Sequence, residues 1–552
     1  MSNLNDKILR GRMNRRTVLK SATGAAAGMY AFGLAGKSYQ RALAQDDLRT
    51  QILKIPGAGA GSPTEQDMQK VGELCLGPTK ANVKQGEFKS VKLTFMGLNN
   101  QNLHNLVFRP LLAAWGDYTG GELEWIDLAQ DEIFPRIQQR LSSNNIDWDI
   151  LEGGAPWEGD LLGKGLCSEM PDWVKQQIDL SDYVGYLQAP VGTWDGKTYR
   201  VSIDGDCHNY NYRSDVFADT DLAGQFKTDG GSFDFAVPTT WQQVQEVTKW
   251  MKGKKFGGQD LYGSLDVYKP WGGFGWYFFA SRSTAYAKHP DDKAWLFDPE
   301  TMKPRINNPA FARSAQDLID VLPSEPPDQV NGDGNTTGFT EFLAGTGSLC
   351  HWWGDVGSNA YTSSTSVIAD KVLFSILPGS PDVYNAKTGA WDKPASGPNF
   401  SPNMAYLGWG IYVMNTVDSD PVKQKMAWSV AAHLGGKDIS LWLACYPSGF
   451  QPYRNSHFNV DEWAVLGYSK DVIASYLKSE SDSYNHPNAA IEPRIPGIFQ
   501  YYSIFETEFA KAAAGDIEVQ PMLDGVAQQW EQLTDQLGRD NQVKLYQGSL
   551  GM

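Results

Sequence analysis

VKLTFMGL, at residues 91–98, is a short apolar run that leads directly into the polar cluster NNQN. Its valine, leucine and phenylalanine occupy alternate positions, which is the pattern of a strand with one buried face. The residues after the polar cluster predict a helix over 104–118. This strand and helix are therefore expected to begin an α/β domain, with polar side chains at the carboxyl end of the first strand.

The same alternation of strand and helix continues downstream. EWIDL at 124–128 predicts a second strand, and DWDIL at 147–151 predicts a third. Between them, DEIFPRIQQRLSSNN at 131–145 has isoleucine and leucine at helical spacing. This order favours an open parallel sheet, whose ligands bind on loops at the carboxyl ends of the strands.

Two later segments carry helix start and stop signals. PTTWQQVQEVTKWMKG at 238–253 has Thr240 as its expected N-cap, and DPVKQKMAWSVAAHLGG at 420–436 has Asp420 in the same role. Residues 322–340 are rich in proline, glycine and asparagine and predict a long loop or a linker between lobes.

The amino-terminal residues 13–44 predict an export signal. Arg15 and Arg16 precede a spaced lysine, a weakly apolar run and the small-residue sequence ALA at 42–44. This order resembles a twin-arginine signal, which is an address and not an anchor. Gln45 is the expected first mature residue, and the mature protein is expected in the periplasm. The alternative is a short buried helix at the amino terminus.

Composition narrows the class of protein and of ligand. The 552 residues carry a net charge of −16. Residues 1–44 contain eight basic residues and one acidic residue, so the remainder has 40 basic and 63 acidic residues, a net charge of −23. Such a charge disfavours nucleic acid, anionic lipid and anionic ligands. No segment is apolar over the length of a transmembrane helix, so none is predicted.

The sequence shows no motif for a cofactor or for catalysis. G-x-S-x-G, H-E-x-x-H and the P-loop pattern are absent, and the five cysteines are too dispersed for a metal site. NGDGN at 331–335 spaces its oxygens like a calcium loop, but Thr336 and Phe342 stand where that loop needs glycine and glutamate. We therefore expect no cofactor, with calcium as the one alternative. A pair of catalytic carboxylates among so many acidic residues stays open.

Several segments, taken in order, resemble one family. They are WDGKTYRVSIDGDCHNYNYRSDVFAD (194–219), PTTWQQV (238–244), FLAGTGSLCHWWGD (342–355), KVLFSILPG (371–379), YLGWGIYVMN (406–415), YPSGFQPYR (446–454) and EPRIPGIFQYYSIFETEFAKAAAG (492–515). The order is similar to that of extracellular solute-binding proteins (family 1) of carbohydrate ABC importers, the group that includes maltose-binding protein. The resemblance covers about residues 90–540.

The resemblance implies a two-lobed α/β periplasmic binding protein fold of type II, maltose-binding-protein-like, with a ligand cleft between the lobes. The chain would pass between lobes near 204–206, 368–375 and 448–455. The expected division is an export signal at 1–44, an extension at 45–88, a first lobe at 89–204 plus 374–450, and a second lobe at 205–373 plus 451–552.

The resemblance also implies which residues face the ligand. These residues follow the first and third strands, occupy the first crossing, lie in tryptophan-rich segments, or stand near the C-terminal stacking aromatic of the family. The expected ligand-binding residues are Asn99, Asn100, Trp157, Glu158, Asp206, His208, Asn209, Trp271, Trp352, Trp353, Asp355, Trp409 and Tyr502. Their chemistry agrees, because sugar hydroxyls need paired donors and acceptors and the C–H faces of a sugar ring pack on flat aromatic rings.

These observations predict the substrate-binding component of an ABC transporter. It would capture a neutral carbohydrate or polyol as a monomer and deliver it to the permease subunits, without catalysing a reaction. Two alternatives stay open. One is a secreted carbohydrate-active enzyme with a tryptophan-lined cleft, and the other is a binding protein for a non-sugar solute such as a peptide, an opine or a phosphorylated polyol.

Overall fold

The structure, a computed structural model, describes residues 48–55, 63–99, 104–143, 145–332, 338–362, 365–445 and 449–552. The chain divides into two units, Met1–Lys54 and Ile55–Met552. In the first unit the described part is a short helix at 48–53 with the residue after it. Arg15, Arg16 and the expected cleavage site after Ala44 lie outside the described residues.

The second unit contains all the described strands and most of the described helices. The strands are β1 Lys92–Leu98, β2 Glu122–Leu128, β3 Ile150–Gly154, β4 Arg200–Ser202, β5 His208–Arg213, β6 Lys254–Phe256, β7 Gln259–Ser264, β8 Gly347–Trp353, β9 Val372–Ser375, β10 Val383–Asn385, β11 Ala390–Asp392 and β12 Trp409–Val413. The helices are Glu65–Leu74, Gly77–Asn82, Asn105–Leu111, Ala113–Thr119, Gln130–Ser143, Glu158–Leu161, Asp172–Ile178, Ser214–Phe217, Thr220–Thr228, Trp241–Met251, Trp276–Ala287, Pro309–Val321, Glu341–Leu343, Val356–Thr362, Pro421–Leu434, Lys437–Cys445, Val460–Val465, Lys470–Tyr484, Ile498–Ala513, Val519–Leu537 and Arg539–Ser549.

The first lobe is built on a five-stranded sheet of order β2–β1–β3–β12–β4. β1 pairs in parallel with β2 and β3, as the sequence pattern predicts. β12 comes from a distant part of the chain and pairs antiparallel with both β3 and β4, so the sheet is mixed and not wholly parallel. Helix Pro421–Leu434 packs on this sheet, and helix Glu65–Leu74 of the predicted extension packs on the two helices after β1.

The second lobe is built on a second five-stranded sheet, of order β6–β7–β8–β5–β9. β5 lies between β8 and β9 and is antiparallel to both, whereas β7 and β8 are parallel. Helix Trp241–Met251 packs on β7, and helix Lys470–Tyr484 packs on β9. The mixed α/β architecture with two sheets is the one that the resemblance implied.

Three segments connect the two sheets. The first is 203–207, between β4 and β5, and it contains residues 204–206 of the expected crossing. The chain returns between β9 and β12, which places the second crossing after Ser375 and downstream of the predicted 368–375, because β9 belongs to the second sheet. The third lies between helix Lys437–Cys445 and helix Lys470–Tyr484.

The division of the chain between the two lobes stays a prediction. The hairpin of β10 and β11, which that division placed with the first lobe, contacts helices Trp276–Ala287 and Pro309–Val321. The first of these helices touches the second sheet, since His351 of β8 hydrogen bonds to the carbonyl of Phe278 at 3.1 Å.

Local signals explain where several elements begin. The Thr240 hydroxyl accepts a hydrogen bond from the Gln243 N–H, and the Gln243 side chain accepts one from the Thr240 N–H, which completes a capping box. Asp420 accepts hydrogen bonds from the second and third helical N–H groups before helix Pro421–Leu434. The predicted helix over 104–118 is instead two helices that meet at Leu112.

All five cysteines lie in the described residues, where they are buried and form no disulfide bond with one another. Burial raises the pKa of the Cys207 thiol, and the negative charge of Glu480 raises it further. Every helix in the described part of the chain is too short or too polar to traverse a lipid bilayer.

A strained turn leads from the second crossing into β12. Tyr406, Leu407 and Gly408 have φ angles of 73°, 55° and 85°, so three successive residues are left-handed. This conformation is costly for residues with a side chain and persists only where the surroundings enforce it. Here the backbone is confined, because a Cβ on Gly408 would lie 2.4 Å from the Asp204 carbonyl oxygen.

The close approach at Gly408 predicts a large difference between two glycine substitutions. Gly408→Ala should lower the free energy of unfolding by about 1–2 kcal/mol for the left-handed backbone and by a further ~1–3 kcal/mol for the clash. Gly515→Ala is the matched control: Gly515 has a φ of 82° with no atom within 4 Å of the added Cβ. Denaturant unfolding of both variants measures the difference, and equal losses would show that the crossing is not tightly packed here.

Candidate functional site

A cavity of about 90 Å³ opens where the two lobes and the crossing segments meet. Such a volume admits several water molecules or one small ligand. Its lining is rich in aromatic rings and contains two aspartates. The described residues that line it are Leu98, His104, Gln130, Asp206, Trp271, Phe274, Trp352, Trp353, Asp355, Tyr406, Trp409, Gly449 and Gln451.

The first lobe supplies one aromatic wall. Trp409 opens β12, and its ring lies 4.6 Å from that of Tyr406 in the strained turn. His104 meets the other side of Trp409 edge-on, at 5.3 Å between ring centroids. The imidazole is held from behind by a short contact with the buried Glu152, whose second oxygen accepts a hydrogen bond from the N–H of Leu98 at 3.0 Å. The carboxyl ends of β1 and β3 thus support this wall.

The second lobe supplies the opposite wall. Trp352 and Trp353 end β8, and their rings meet nearly at right angles at 5.4 Å. The Trp353 indole N–H donates to the Ala405 carbonyl at 3.1 Å, which ties it to the second crossing. Trp271 lies 6.3 Å from Trp352 with the two ring planes inclined by 27°, and Phe274 completes the wall.

Glu506 holds the loop that carries Trp271 and Phe274. Its carboxylate accepts hydrogen bonds from the N–H groups of Trp271 at 3.2 Å, Gly273 at 2.8 Å and Trp276 at 3.1 Å. These donors precede or begin helix Trp276–Ala287, where backbone N–H groups lack helical partners. Burial nevertheless raises the pKa of Glu506 to about 7. A side chain remote from the cavity therefore positions its aromatic wall.

Two aspartates bring carboxyl oxygens to the cavity. Asp206 is 3% exposed, and its Oδ1 accepts a hydrogen bond from the Gln451 amide at 2.8 Å. Its Oδ2 has no partner among the described residues, and the same is true of Asp355 Oδ1. Burial raises the pKa of Asp355 to about 7. Burial, followed by the negative charge of Asp204, raises the pKa of Asp206 well above its ordinary value.

Gln451 connects the first and third crossings at the edge of the cavity. Its N–H donates to Asp204 Oδ1 at 2.5 Å, and its side-chain oxygen accepts from the Gly354 N–H at 3.1 Å. Asp204 is fully buried and also accepts the N–H of Gly205 at 2.8 Å. Burial raises the pKa of Asp204 to about 7. The position of Asp206 thus depends on a hydrogen-bond network that spans both lobes.

The structure brings together six of the thirteen predicted site residues: Asp206, Trp271, Trp352, Trp353, Asp355 and Trp409 line the cavity. Trp157 lies directly behind it, fully buried against Tyr406 and Trp409. Glu158 is turned away from the cavity into a buried ion pair with Arg494 at 2.6 Å and a hydrogen bond from Tyr412 at 2.8 Å.

His208 and Asn209 lie on β5 behind the second wall. The His208 ring packs edge-on against Trp353 at 4.4 Å, and Nδ1 is 2.8 Å from the Ser281 hydroxyl. Burial lowers the pKa of His208 well below its ordinary value, so the ring is neutral. Asn209 donates to Glu480 at 2.6 Å. Both side chains are thus engaged within the second lobe.

The remaining predicted residues are separate from the cavity lining. Tyr502 stacks on Trp276 at 4.8 Å and donates its hydroxyl in a short hydrogen bond to the buried Glu492. Asn99 is exposed, and Asn100 lies outside the described residues. As ligand-binding residues, all thirteen stay predictions.

Seven lining residues were not among those predicted: Leu98, His104, Gln130, Phe274, Tyr406, Gly449 and Gln451. Four of them, Phe274, Tyr406, Gly449 and Gln451, occur in motifs that carried the resemblance or in the glycine-rich WGGFGW segment. The left-handed angles at Tyr406 and at His104, 73° and 54°, leave no sequence signal, because neither residue is glycine.

In the part of the chain that the structure describes, no three His, Cys, Asp or Glu side chains are arranged to hold a metal ion. The NGDGN segment that resembles a calcium loop lies partly outside the described residues, which leave out 333–337.

The buried carboxyls predict that stability falls as pH rises. Burial raises the pKa of Glu492 to about 8, from an ordinary value of 4.5. The folded state therefore holds a proton that the unfolded state releases between these values, so the stabilisation is complete below pH 4.5 and is lost as pH rises through 8.

We expect the melting temperature to fall between pH 6 and pH 9, and Glu492→Gln, which substitutes a neutral isostere, to reduce that fall by a few degrees. Glu124→Gln, whose side chain is 61% exposed, is the control and should leave the fall unchanged. Calorimetric scans across this range measure both. The same slope in both variants would contradict a protonated Glu492.

The chain is similar to known proteins in both sequence profile and fold. The profile of the family described as bacterial extracellular solute-binding protein matches residues 111–422, more than half of the chain. No curated protein sequence matches the chain at a significant level.

Solved structures of two-lobed binding proteins share the fold. A solute-binding protein of an ABC transporter from Agrobacterium radiobacter K84, in complex with ribitol, has a TM-score of 0.62 and 19% identity, over 81% of this chain and 99% of that one. A solute-binding protein from Agrobacterium vitis S4, with bound D-mannitol, has a TM-score of 0.59 and 18% identity, over 81% of this chain and 99% of that one. Maltose-bound MalE3 of T. maritima has a TM-score of 0.61 and 16% identity, over 80% of this chain and 100% of that one. By the extent of the profile match, this chain belongs to the bacterial extracellular solute-binding proteins.

Proposed function

We propose that this protein captures a carbohydrate or polyol in the cavity between its lobes and delivers it to the permease of an ABC importer. The observation that carries the proposal is the cavity itself, which is lined by tryptophans of both lobes and by carboxyl oxygens without a partner among the described residues. Aromatic faces pack against the C–H surface of a sugar, and free oxygens accept its hydroxyl protons.

The size of the cavity favours a small ligand. A volume of about 90 Å³ is far below that of clefts that hold drug-sized molecules. Ribitol and D-mannitol, bound by two of the similar structures, are linear polyols of this modest size class. We therefore propose a monosaccharide or an alditol in preference to an oligosaccharide.

The position of the cavity accounts for capture and release. Its walls belong to different lobes, and its floor is formed by crossing segments, so relative rotation of the lobes would separate Trp409 from Trp352 and Trp353. Ligand that contacts both walls stabilises the closed arrangement and excludes water. The protein would act in this way as a monomer, without a cofactor and without making or breaking a bond.

A ligand panel tests this function together with one pair of tryptophan variants. Thermal-shift and calorimetric measurements with monosaccharides and alditols should identify a stabilising ligand. Trp271→Ala removes a cavity ring and should weaken binding at least about tenfold, equivalent to about 1.4 kcal/mol. Trp250→Ala is the control, because Trp250 is also partly buried but packs against Phe226 and Phe235, outside the cavity lining.

Three outcomes would contradict the proposal. One is a panel with no stabilising ligand. Another is release of reducing sugar from oligosaccharides that Asp206→Asn abolishes, which would favour the carbohydrate-active enzyme. The third is stabilisation by peptides alone, which would favour a binding protein for a non-sugar solute.

We further propose that the protein reaches the periplasm by the twin-arginine route and is cleaved near Ala44. Membership of an extracellular family supports export, and the paired Arg15 and Arg16 support the route. Changing both residues to lysine should block export while leaving the folded protein in the cytoplasm, as measured by cell fractionation. Normal export of the double variant would indicate the general secretory route.

A further inference from the structure

The charged side chains that line the cavity are acidic, apart from the imidazole of His104. Asp206 and Asp355 line it, and no lysine or arginine is found among the described lining residues. The two undescribed segments that adjoin lining residues in sequence, NQNL at 100–103 and YPS at 446–448, contain no basic residue either. His104 contacts the Glu152 carboxylate, so this pair adds no net positive charge whether or not the imidazole is protonated.

Neither aspartate has a cationic partner among the described residues, and the nearest charged neighbour of Asp206 is a second buried carboxyl, that of Asp204. Asp206 is 3% exposed and its Oδ2 has no partner in the described protein. Asp355, which follows β8, likewise has a free Oδ1. The two groups are near enough for the charge of Asp355 to act on Asp206. A carboxylate shielded from bulk water needs a counter-charge or a proton. Asp206 is buried and Asp355 is half-buried, and no salt bridge compensates either of them in the described part of the chain.

The same cavity is lined by four tryptophan side chains. Trp271, Trp352 and Trp353 from one lobe and Trp409 from the other present rings to the same space. Aromatic faces attract cations through the ring quadrupole, and the attraction grows where water is excluded. Carboxyl oxygens beside such rings, with no cation among the described lining residues to neutralise them, are complementary to a ligand that supplies the cation itself.

We propose that the natural ligand is a small polyol or sugar that carries a protonated amino group, and that its ammonium lies beside Asp206 and Asp355 against the tryptophans. The proposal rests on the proposed function, since the hydroxyls and C–H faces of the ligand use the same cavity. It adds a charged group to the carbohydrate or polyol, and it agrees with an acidic protein that disfavours anions. An uncharged polyol is the competing occupant, with hydroxyl donors or bound protons serving both aspartates.

Matched pairs of compounds separate these two occupants. D-glucamine and D-sorbitol differ only in an amino group for one hydroxyl, and D-glucosamine and D-glucose differ in the same way. Isothermal calorimetry on the full mature chain at pH 7 should show at least tenfold tighter binding of the amine in one pair or both. Equal binding, or tighter binding of the uncharged member, overturns the inference and leaves the proposed function standing.

Substitutions at the aspartates test where the ammonium lies. Asp206→Asn and Asp355→Asn keep the size of each side chain and remove its charge, so either should reduce the amine preference to threefold or less. Asp471→Asn, on the exposed face of helix Lys470–Tyr484, should keep the wild-type ratio. An unchanged ratio in both cavity variants overturns the inference. If Asp206→Asn fails to fold, judged by circular dichroism, Asp355→Asn and the wild-type ratio carry the test.

The panel of uncharged ligands distinguishes failure of this inference from failure of the function. Binding of an uncharged sugar or alditol without any amine binding refutes the amino group alone. Absence of binding by every sugar, alditol and amine refutes both.

Discussion

The hydrogen bonds of Gln451 are the constraint on which the site depends. Its backbone N–H reaches Asp204 at 2.5 Å, its amide reaches Asp206 at 2.8 Å, and its side-chain oxygen accepts the N–H of Gly354 at 3.1 Å. One residue thus joins two crossings to the end of β8, which carries Trp352 and Trp353. Because these groups are buried, an unmade bond would leave a polar atom without water, so the arrangement is strongly specified.

Several features around Gln451 are unfavourable for the stability of the folded protein. The buried carboxyls of Asp204 and Asp206 each have one oxygen without a partner among the described residues, and Tyr406 and Leu407 hold left-handed backbone angles that only the surrounding packing maintains. Each of these features lowers the stability of the empty protein. They occur together at the cavity, where binding of a ligand would supply the missing hydrogen bonds and charge. The residues around the cavity are therefore less stable without ligand than with it, as expected of a protein that binds a solute and releases it.

The rest of the molecule supports the walls from outside. Glu506, on helix Ile498–Ala513, accepts three backbone N–H groups of the WGGFGW loop and so places Trp271. Trp157 fills the space behind Tyr406 and Trp409 without access to the cavity. These residues influence the site through the groups that they hold, and their burial separates them from ligand.

Local pattern was sufficient for the elements and the general fold. Alternation predicted β1, cap residues predicted the starts at Thr240 and Asp420, and the order of short motifs predicted two α/β lobes. The strand and the helix starts depend on neighbours a few residues apart, whose steric and hydrogen-bonding preferences are read directly from sequence, whereas the two lobes were implied by the family resemblance. The cavity was only partly predictable, since tryptophans in glycine-rich loops were identified but Tyr406 and Gln451 were not.

What the sequence by itself determined was the resemblance to the family, the first three strands and the acidic, tryptophan-rich composition of the chain. Only the tertiary structure decided which of those side chains meet. Leu98 and Gln451 are 353 positions apart and line one cavity, whereas Glu158 and Asn209, near the site in the chain, are drawn into buried pairs with Arg494 and Glu480. The physical reason is that a buried polar group takes the partner that packing brings to it, and that partner comes from a distant segment.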